Sequence, residues 1–309
     1  MDKPFKTIDE QLAILQSRNI KTDNKTAYIL EREGYYSVIN GYKDAFLAIP
    51  HSDIYKPGTT FEDIYQLFKF DRTLRLILFG YFSIAEAILK TTCAYNFMER
   101  YREQSRPYMN KNNYSQNKHH QAGINRLLNE FNNVLCNHSK NKNYKLYLKH
   151  YLNNHDEVPF WVLTKYLTLG QMFKFYCFQQ ESMRNSIAHS FSNLYAETHK
   201  KAVRISDRRL RLAYNHIKDF RNICAHDERL YCARVSLSHD INFADVLNDL
   251  ELVLPKNEYI QLLRDVVNAL TELSENTHIE IMNDVMDSMG IHSLDPIFAT
   301  SQTCHTLMP

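Results

Sequence analysis

Glycine and proline are scarce, at seven and eight residues in a chain of 309. Glycine supplies positive-φ turns and proline interrupts helices, so so small a stock excludes most hairpin chemistry and favours long helices. No stretch of useful length alternates apolar and polar residues, which removes the ordinary strand signal. The six cysteines (Cys93, Cys136, Cys177, Cys224, Cys232 and Cys304) include no C-x-x-C pair. That argues against a zinc centre and a disulfide framework, and for a reducing compartment. The most apolar run, residues 74–89, is interrupted by Arg75 and Glu86 and flanked by Arg72 and Lys90. It reads as a buried helix too short to span a bilayer. The N-terminal MDKPFKTIDEQ is charged where a signal peptide is apolar. The expectation is a cytoplasmic protein without membrane association, metal or cofactor.

Helix signals fill the space these absences leave. Thr7 followed by Glu10 forms a capping-box pattern, Thr22 or Asp23 can cap the next helix, and Gly34 stops it. A short helix over YYSVINGYKDAF gives way to the loop IPHSDIYKPGTT. Thr60 then caps a long helix to about Tyr101, in which Ile64, Leu67, Phe68, Leu74, Ile77, Leu78, Tyr81 and Ile84 recur at helical spacing. The polar segment 103–114 reads as loop. Helices are predicted at about 116–136, 143–153, 160–179, 181–191 and 195–219, with a short one near 243–250 and a last one over about 258–288. The polar NHSKNKN separates two of them, and the final twenty residues read as frayed. The fold class is all-α.

Net charge is only +2, yet it is unevenly spread. Residues 100–150 carry ten Lys/Arg against two acids and 196–239 carry ten against five, whereas 240–309 carry two against twelve. Basic middle segments suit a phosphate backbone and an acidic end does not. A solvated mixed surface would read the same way.

The chemistry-bearing segment is RNICAHDERLY, residues 221–231. Its Arg-x4-His spacing is weak by itself, because the chain holds five pairs of type R-x4–6-H. They are Arg184/His189, Arg209/His216, Arg211/His216, Arg221/His226 and Arg234/His239, and short motifs always carry this risk. On a helix Asn222 and His226 share a face, so the amide can orient the imidazole. Arg221 reaches toward the same phosphate. A histidine of ordinary pKa exchanges protons near neutrality. A guanidinium stabilises charge growing on phosphorus, and RNA carries its own nucleophile, the 2′-hydroxyl. Arginine plus histidine therefore suffices for transesterification without a metal. The competing reading of these residues is a structural arginine and a packed histidine.

Four segments in order carry a resemblance: YYSVINGYKDAF, FKFDRTLRLILFGYFSIAEAIL, HYLNNHDEVPFWVLTKYLTLGQM and RNICAHDERLY. Over about residues 4–236 the chain resembles the abortive-infection (Abi-like, AbiD/AbiF-type) proteins of the HEPN superfamily of helical nucleases. That family typically reads R-N-x-C-A-H-x-x-R followed by an aromatic. Here Tyr231 stands where Trp is common and Cys232 where Asn is common. The resemblance implies a HEPN-type helical bundle with additional N- and C-terminal helices: an N-terminal subdomain at 1–60, a core at 61–236, and an acidic extension and tail at 237–309. It implies RNA cleavage in anti-phage defence by a homodimer whose RNxxxH motifs face one another, with a link to small noncoding RNA. Arg221 and His226 are the implied catalytic residues and Asn222 their orienting partner. The alternatives are a non-catalytic RNA-binding protein and a defence scaffold or sensor.

Arg208, Arg211, Arg229 and Tyr231 are further candidates for RNA contact. The first two share a basic stretch with Lys200, Lys201, Arg204 and Arg209, which reads equally as a solvated face. For Arg229 the competing reading is a salt bridge to Asp227 or Glu228. Asp71, Arg72 and Arg75 read as an internal ion-pair network. Glu86 is expected to pair with one of them or with Arg221, and Pro159 and Trp161 to pack. RNSIAH at 184–189 reads as coincidence, and His119 and His120 lack metal spacing.

Overall fold

The computed structural model describes residues 4–136, 146–155, 157–236 and 240–293. The predicted NHSKNKN loop and nearly all of the predicted frayed tail lie outside them. Among the described residues the secondary structure is helical, with isolated β-bridges and no strand. The α-helices are α1 (Ile8–Ser17), α2 (Thr26–Glu33), α3 (Phe61–Arg100), α4 (Gln121–Cys136), α5 (Leu146–Asn154), α6 (Phe160–Leu163), α7 (Leu169–Cys177), α8 (Glu181–His199), α9 (Asp207–Ala225), α10 (Phe243–Val253), α11 (Lys256–Glu275) and α12 (Ile279–Met289). The all-α expectation holds.

Local chemistry accounts for most boundaries. Thr7 and Glu10 close a capping box on α1. Asp23 accepts from the backbone of Lys25 and Thr26 to start α2, and Gly34, at φ 84°, ends it. Thr60 and Asp63 cap α3 reciprocally. Each such cap satisfies amides that a helix start leaves unpaired, worth about 1 kcal/mol. Other boundaries differ from expectation. The predicted helix 160–179 is broken into α6 and α7, because Thr168 and Gln171 form a capping box that restarts the chain. The predicted gap between 191 and 195 is helix instead. There the Ser192 hydroxyl bonds back to the Ala188 carbonyl, and the true break is a loop after Lys200, which takes a left-handed conformation. The predicted helix 258–288 ends at Glu275 and resumes at Ile279. The short predicted helix near residue 40 is a π-helical turn, Tyr36–Asn40, followed by a 3₁₀ turn, Lys43–Phe46.

Two compact units emerge, and they do not follow the segments 1–60, 61–236 and 237–309. The first comprises residues 1–79, 220–245 and 260–309, the second 80–219 and 246–259. Helices α3 and α9 each supply residues to both, which a linear division cannot show. In the second unit, rings of Phe97, Tyr108, Phe131, Phe160 and Phe175 cluster, Phe160 and Phe175 at 4.6 Å. Trp161, expected to pack, is instead 52% exposed, and its neighbour Phe160 fills the core.

Helix α3 is long and apolar enough to cross a membrane by length and composition, which corrects the expectation of too short a run. Its Leu74, Leu78, Phe82, Ala85, Leu89, Cys93 and Phe97 are fully buried at three- and four-residue intervals. That row is a core-facing stripe, each large side chain contributing about 1.5–3 kcal/mol.

Candidate active site at the end of helix α9

The motif lies in the first unit, where α9 ends. Arg221 is half-buried and its guanidinium lies 5.6 Å from the Phe79 ring centre. Asn222 and His226 are exposed, as the four-residue spacing predicts, and the His226 amide donates to the Asn222 carbonyl at 3.0 Å. Among the described residues no side-chain bond joins the Asn222 amide to the imidazole; the expected orienting contact is not formed. Asp227 follows in the left-handed region at φ 57°, and the Glu228 amide donates back to the Ile223 carbonyl at 3.1 Å. This is a Schellman-type stop with aspartate where glycine is usual. It leaves His226 as the capping residue directly after the last helical position, Ala225.

A left-handed aspartate costs backbone energy, and a buried clamp holds it. Arg75 donates through Nη2 to Asp227 Oδ1 at 2.6 Å and through Nη1 to the Glu228 carbonyl, the Tyr42 hydroxyl and Asp71. Asp71 is fully buried. It accepts the Tyr42 hydroxyl at 2.7 Å and the backbone amides of Leu230 and Tyr231 at 3.1 and 2.7 Å. Burial pushes the Asp71 pKa up, while Arg75, Tyr42 and the two amides pull it down. With a guanidinium and three donors on two oxygens, every lone pair facing them is used, which is the condition under which a buried ion pair is tolerated. The expected network of Asp71 and Arg75 is thus present. Arg72 serves a separate contact, a two-pronged bond to Glu33 on α2 and a guanidinium 4.4 Å over Phe68.

The loop after the motif is fixed at a second point. Arg229 donates to the Gly41 carbonyl at 2.9 Å and to Asp44 at 3.1 Å, rather than to Asp227 or Glu228. Tyr231, expected to touch RNA, is buried and stacks on Tyr42 with ring centres 6.2 Å apart. Its ring packs the loop from within, so the RNA-contact reading of that side chain is corrected. Cys232 is half-buried beside it, and burial raises its thiol pKa; Cys224 is pushed up to about 12 by the same cause. Both thiols stay protonated, so neither is an activated nucleophile. A cavity of about 470 Å³ opens against this loop, lined among others by Tyr36, Asn40, Asp227, Arg229 and Arg234.

The remaining candidates belong to the second unit. Arg208 is exposed, and Arg211 is tied to Asp207 at 3.2 Å. Glu86 pairs with Lys90 at 2.7 Å, not with the FDRTLR charges or Arg221. Arg184 of RNSIAH is engaged by Asp207 and the Gln179 carbonyl, a structural role. Among the described residues no group of three His, Cys, Asp or Glu side chains is arranged to hold a metal ion. Sequence reasoning missed Tyr42, Asp44 and Tyr36 as parts of this site. All three fall in YYSVINGYKDAF, but nothing in that segment says it meets residues 227–231.

Comparison with characterised proteins and with solved structures gave no match. The profile of the Abi-like protein family matches residues 28–232, which contain the Tyr42–Asp71–Arg75 clamp and the motif it holds. Spanning well over half of the chain, that match shows that this protein belongs to the Abi-like family.

Proposed function

We propose that this protein is a HEPN-type endoribonuclease of abortive-infection defence, cutting RNA without a divalent metal and acting in the cytoplasm as a homodimer. Family membership supports the defence role. The observation that carries the activity is the exposed His226 imidazole at the end of α9, one turn from Arg221, on a loop anchored by a buried ion pair.

His226 accepts the proton of a ribose 2′-hydroxyl as the 2′-oxygen bonds to phosphorus and the P–O5′ bond breaks. The products are a 2′,3′-cyclic phosphate and a 5′-hydroxyl, whose proton a second imidazole supplies. Arg221 stabilises the charge that builds on the phosphoryl oxygens. One motif per chain offers one imidazole, and a two-fold pair of chains offers two. Leu76, 72% exposed, and Phe79, 39% exposed beside Arg221, support a covered face there. RNA is the substrate class, and a small noncoding RNA is the expected companion.

The test is incubation of the purified protein with RNA in EDTA, beside an Arg221→Ala/His226→Ala variant. Wild type cuts RNA, the variant does not, and DNA of the same sequence stays whole. Equal cleavage by both proteins overturns the proposal, and tight RNA binding without turnover favours a binding module.

A further inference from the structure

Within the first unit, the chain leaving the motif loop grips one end of helix α12. Arg234 donates from Nη1 to the Ser288 carbonyl at 2.7 Å, in the last turn of that helix. Carbonyls there have no partner within their own helix and carry its negative dipole end. The last turn of α12 holds no basic residue, so the cation that answers it comes from the loop. The chain then returns through the Val235–Ile241 bridge to Asn242. Gly290 ends α12 in the left-handed region at φ 74°. The Gly290 and Ile291 amides donate back to Asp287 and Met286 at 3.0 and 2.9 Å, a Schellman stop. The Asn242 side chain fills the space that a Cβ at residue 290 needs. Loop and helix end are thus fitted to each other at two points.

The other end of α12 is held more loosely. The helix has 11 residues, a length at which an isolated helix is marginal, so its helicity depends on docking. Ile281, Met282, Val285 and Met289 are buried, but Ile279 in the first turn is 72% exposed. His278 at the N-cap contributes no side-chain capping bond. A cavity of about 280 Å³ lies against this first turn, lined among others by Phe46, Lys56, Thr59 and Ile281. The Lys56–Asp284 pair, at 3.4 Å and partly exposed, adds little. Helix α12 also packs on the 3₁₀ turn Lys43–Phe46, whose Asp44 holds Arg229 of the motif loop. A short helix beside a cavity at one end and bonded to the motif loop at the other opens at low cost.

We propose that α12 is a detachable clip for the motif loop. Docked, it holds residues 229–235 through Arg234 and through the turn that carries Asp44. Released, it leaves that loop to the Asp71–Arg75 clamp, and His226 is less firmly placed. A misplacement of about 1 Å at a reacting group costs up to about 100-fold in rate, so cleavage follows the docking of α12. The clip lies beyond residues 28–232, the part of the chain that the family profile matches. The effect on cleavage rests on the ribonuclease reading; the coupling of helix to loop does not.

The experiment follows amide hydrogen exchange in the full-length protein by mass spectrometry, beside RNA cleavage. In wild type the α12 amides exchange at least about tenfold faster than those of α11. Arg234→Ala and Gly290→Ala each speed α12 about fivefold further, and the Leu230 and Tyr231 amides with it. Gly290→Ala is the sharper variant, because its change lies wholly outside the motif loop. Exchange over residues 64–74 of α3 stays at the wild-type rate, which separates release of the clip from general loosening. Cleavage falls about fivefold in both variants, and Arg234→Lys recovers most of it. Wild-type α12 exchanging as slowly as α11 overturns the inference, as does faster α12 exchange with Leu230 and Tyr231 unmoved. Where wild type cuts RNA, cleavage by Gly290→Ala at the wild-type rate overturns it too. If helix and loop exchange together and wild type leaves RNA whole, the clip stands and only the nuclease reading falls.

Discussion

Two arginine–histidine pairs sit on the same helix with opposite fates. In the second unit, Arg209 and His216 both converge on Asp249, a buried carboxylate on α10; His216 Nδ1 donates to it at 2.7 Å. The imidazole is buried, and its proton is committed to holding α9 against α10. In the first unit, Arg221 and His226 form no ion pair with a carboxylate among the described residues, and the buried carboxylate Asp71 grips the backbone of the following loop instead. The first pair spends its chemistry on packing, and the second keeps it at the surface. Spacing in sequence cannot separate them; the destination of the nearest buried aspartate does.

The largest expected effect tests that difference directly. Arg221→Ala or His226→Ala lowers RNA cleavage by about 100- to 10,000-fold while leaving the thermal transition in place. Arg209→Ala and His216→Ala keep cleavage per folded molecule. A cleavage loss for His216→Ala as deep as that for His226→Ala, with the fold intact by circular dichroism, breaks the comparison.

Next come the two buried aspartates. Asp71→Ala and Asp249→Ala each strand a buried or half-buried cation and its donors, at about 3–5 kcal/mol in denaturant unfolding. Asp71→Ala also lowers cleavage at temperatures where the protein remains folded, because Leu230, Tyr231 and Arg75 lose their common anchor. Asp249→Ala does not. Equal activity of the two variants under folding conditions removes the special role given to the clamp.

A finer test targets the left-handed residue. Asp227→Gly exchanges the loss of the Arg75 contact for relief of backbone strain, so unfolding free energy changes by less than about 1 kcal/mol. Cleavage falls about tenfold because the loop carrying His226 is less firmly placed. Activity at the wild-type level would show that the Arg75–Asp227 contact is dispensable.

The smallest effect concerns acid. The Arg72 guanidinium beside Glu33 holds its carboxyl below the usual carboxylate range. A depressed folded pKa contributes stability above the unfolded value, about 4.3, and that contribution fades as pH falls through the folded value. The gap between wild type and Glu33→Gln, about 1 kcal/mol at pH 7 because Arg72 is partly exposed, closes as pH drops below about 4. A gap that stays constant from pH 7 to pH 3 removes the ion pair from the ledger.

Helix content was legible because it is local. Few glycines and prolines, the Thr7–Glu10 and Thr60 caps, and the apolar spacing after Ile64 all act within a few residues. The departures from expectation are local as well: the Thr168–Gln171 capping box divides the helix expected over 160–179, and across the expected gap between 191 and 195 the Ser192 hydroxyl bonds back into its own helix. The motif segment was legible as well, through its resemblance to a family. Its surroundings were not.

Residues alone determined that this chain is helical, where most helices begin, and that 221–226 holds a guanidinium and an imidazole at nuclease spacing. Only tertiary structure decided which arginine–histidine pair stays open, that Tyr231 turns inward, and that Tyr42, Asp71 and Arg75 hold the motif loop. The reason is distance along the chain. Asp71 meets Leu230 across 159 positions and Arg75 meets Asp227 across 152, and no local pattern encodes a contact of that separation.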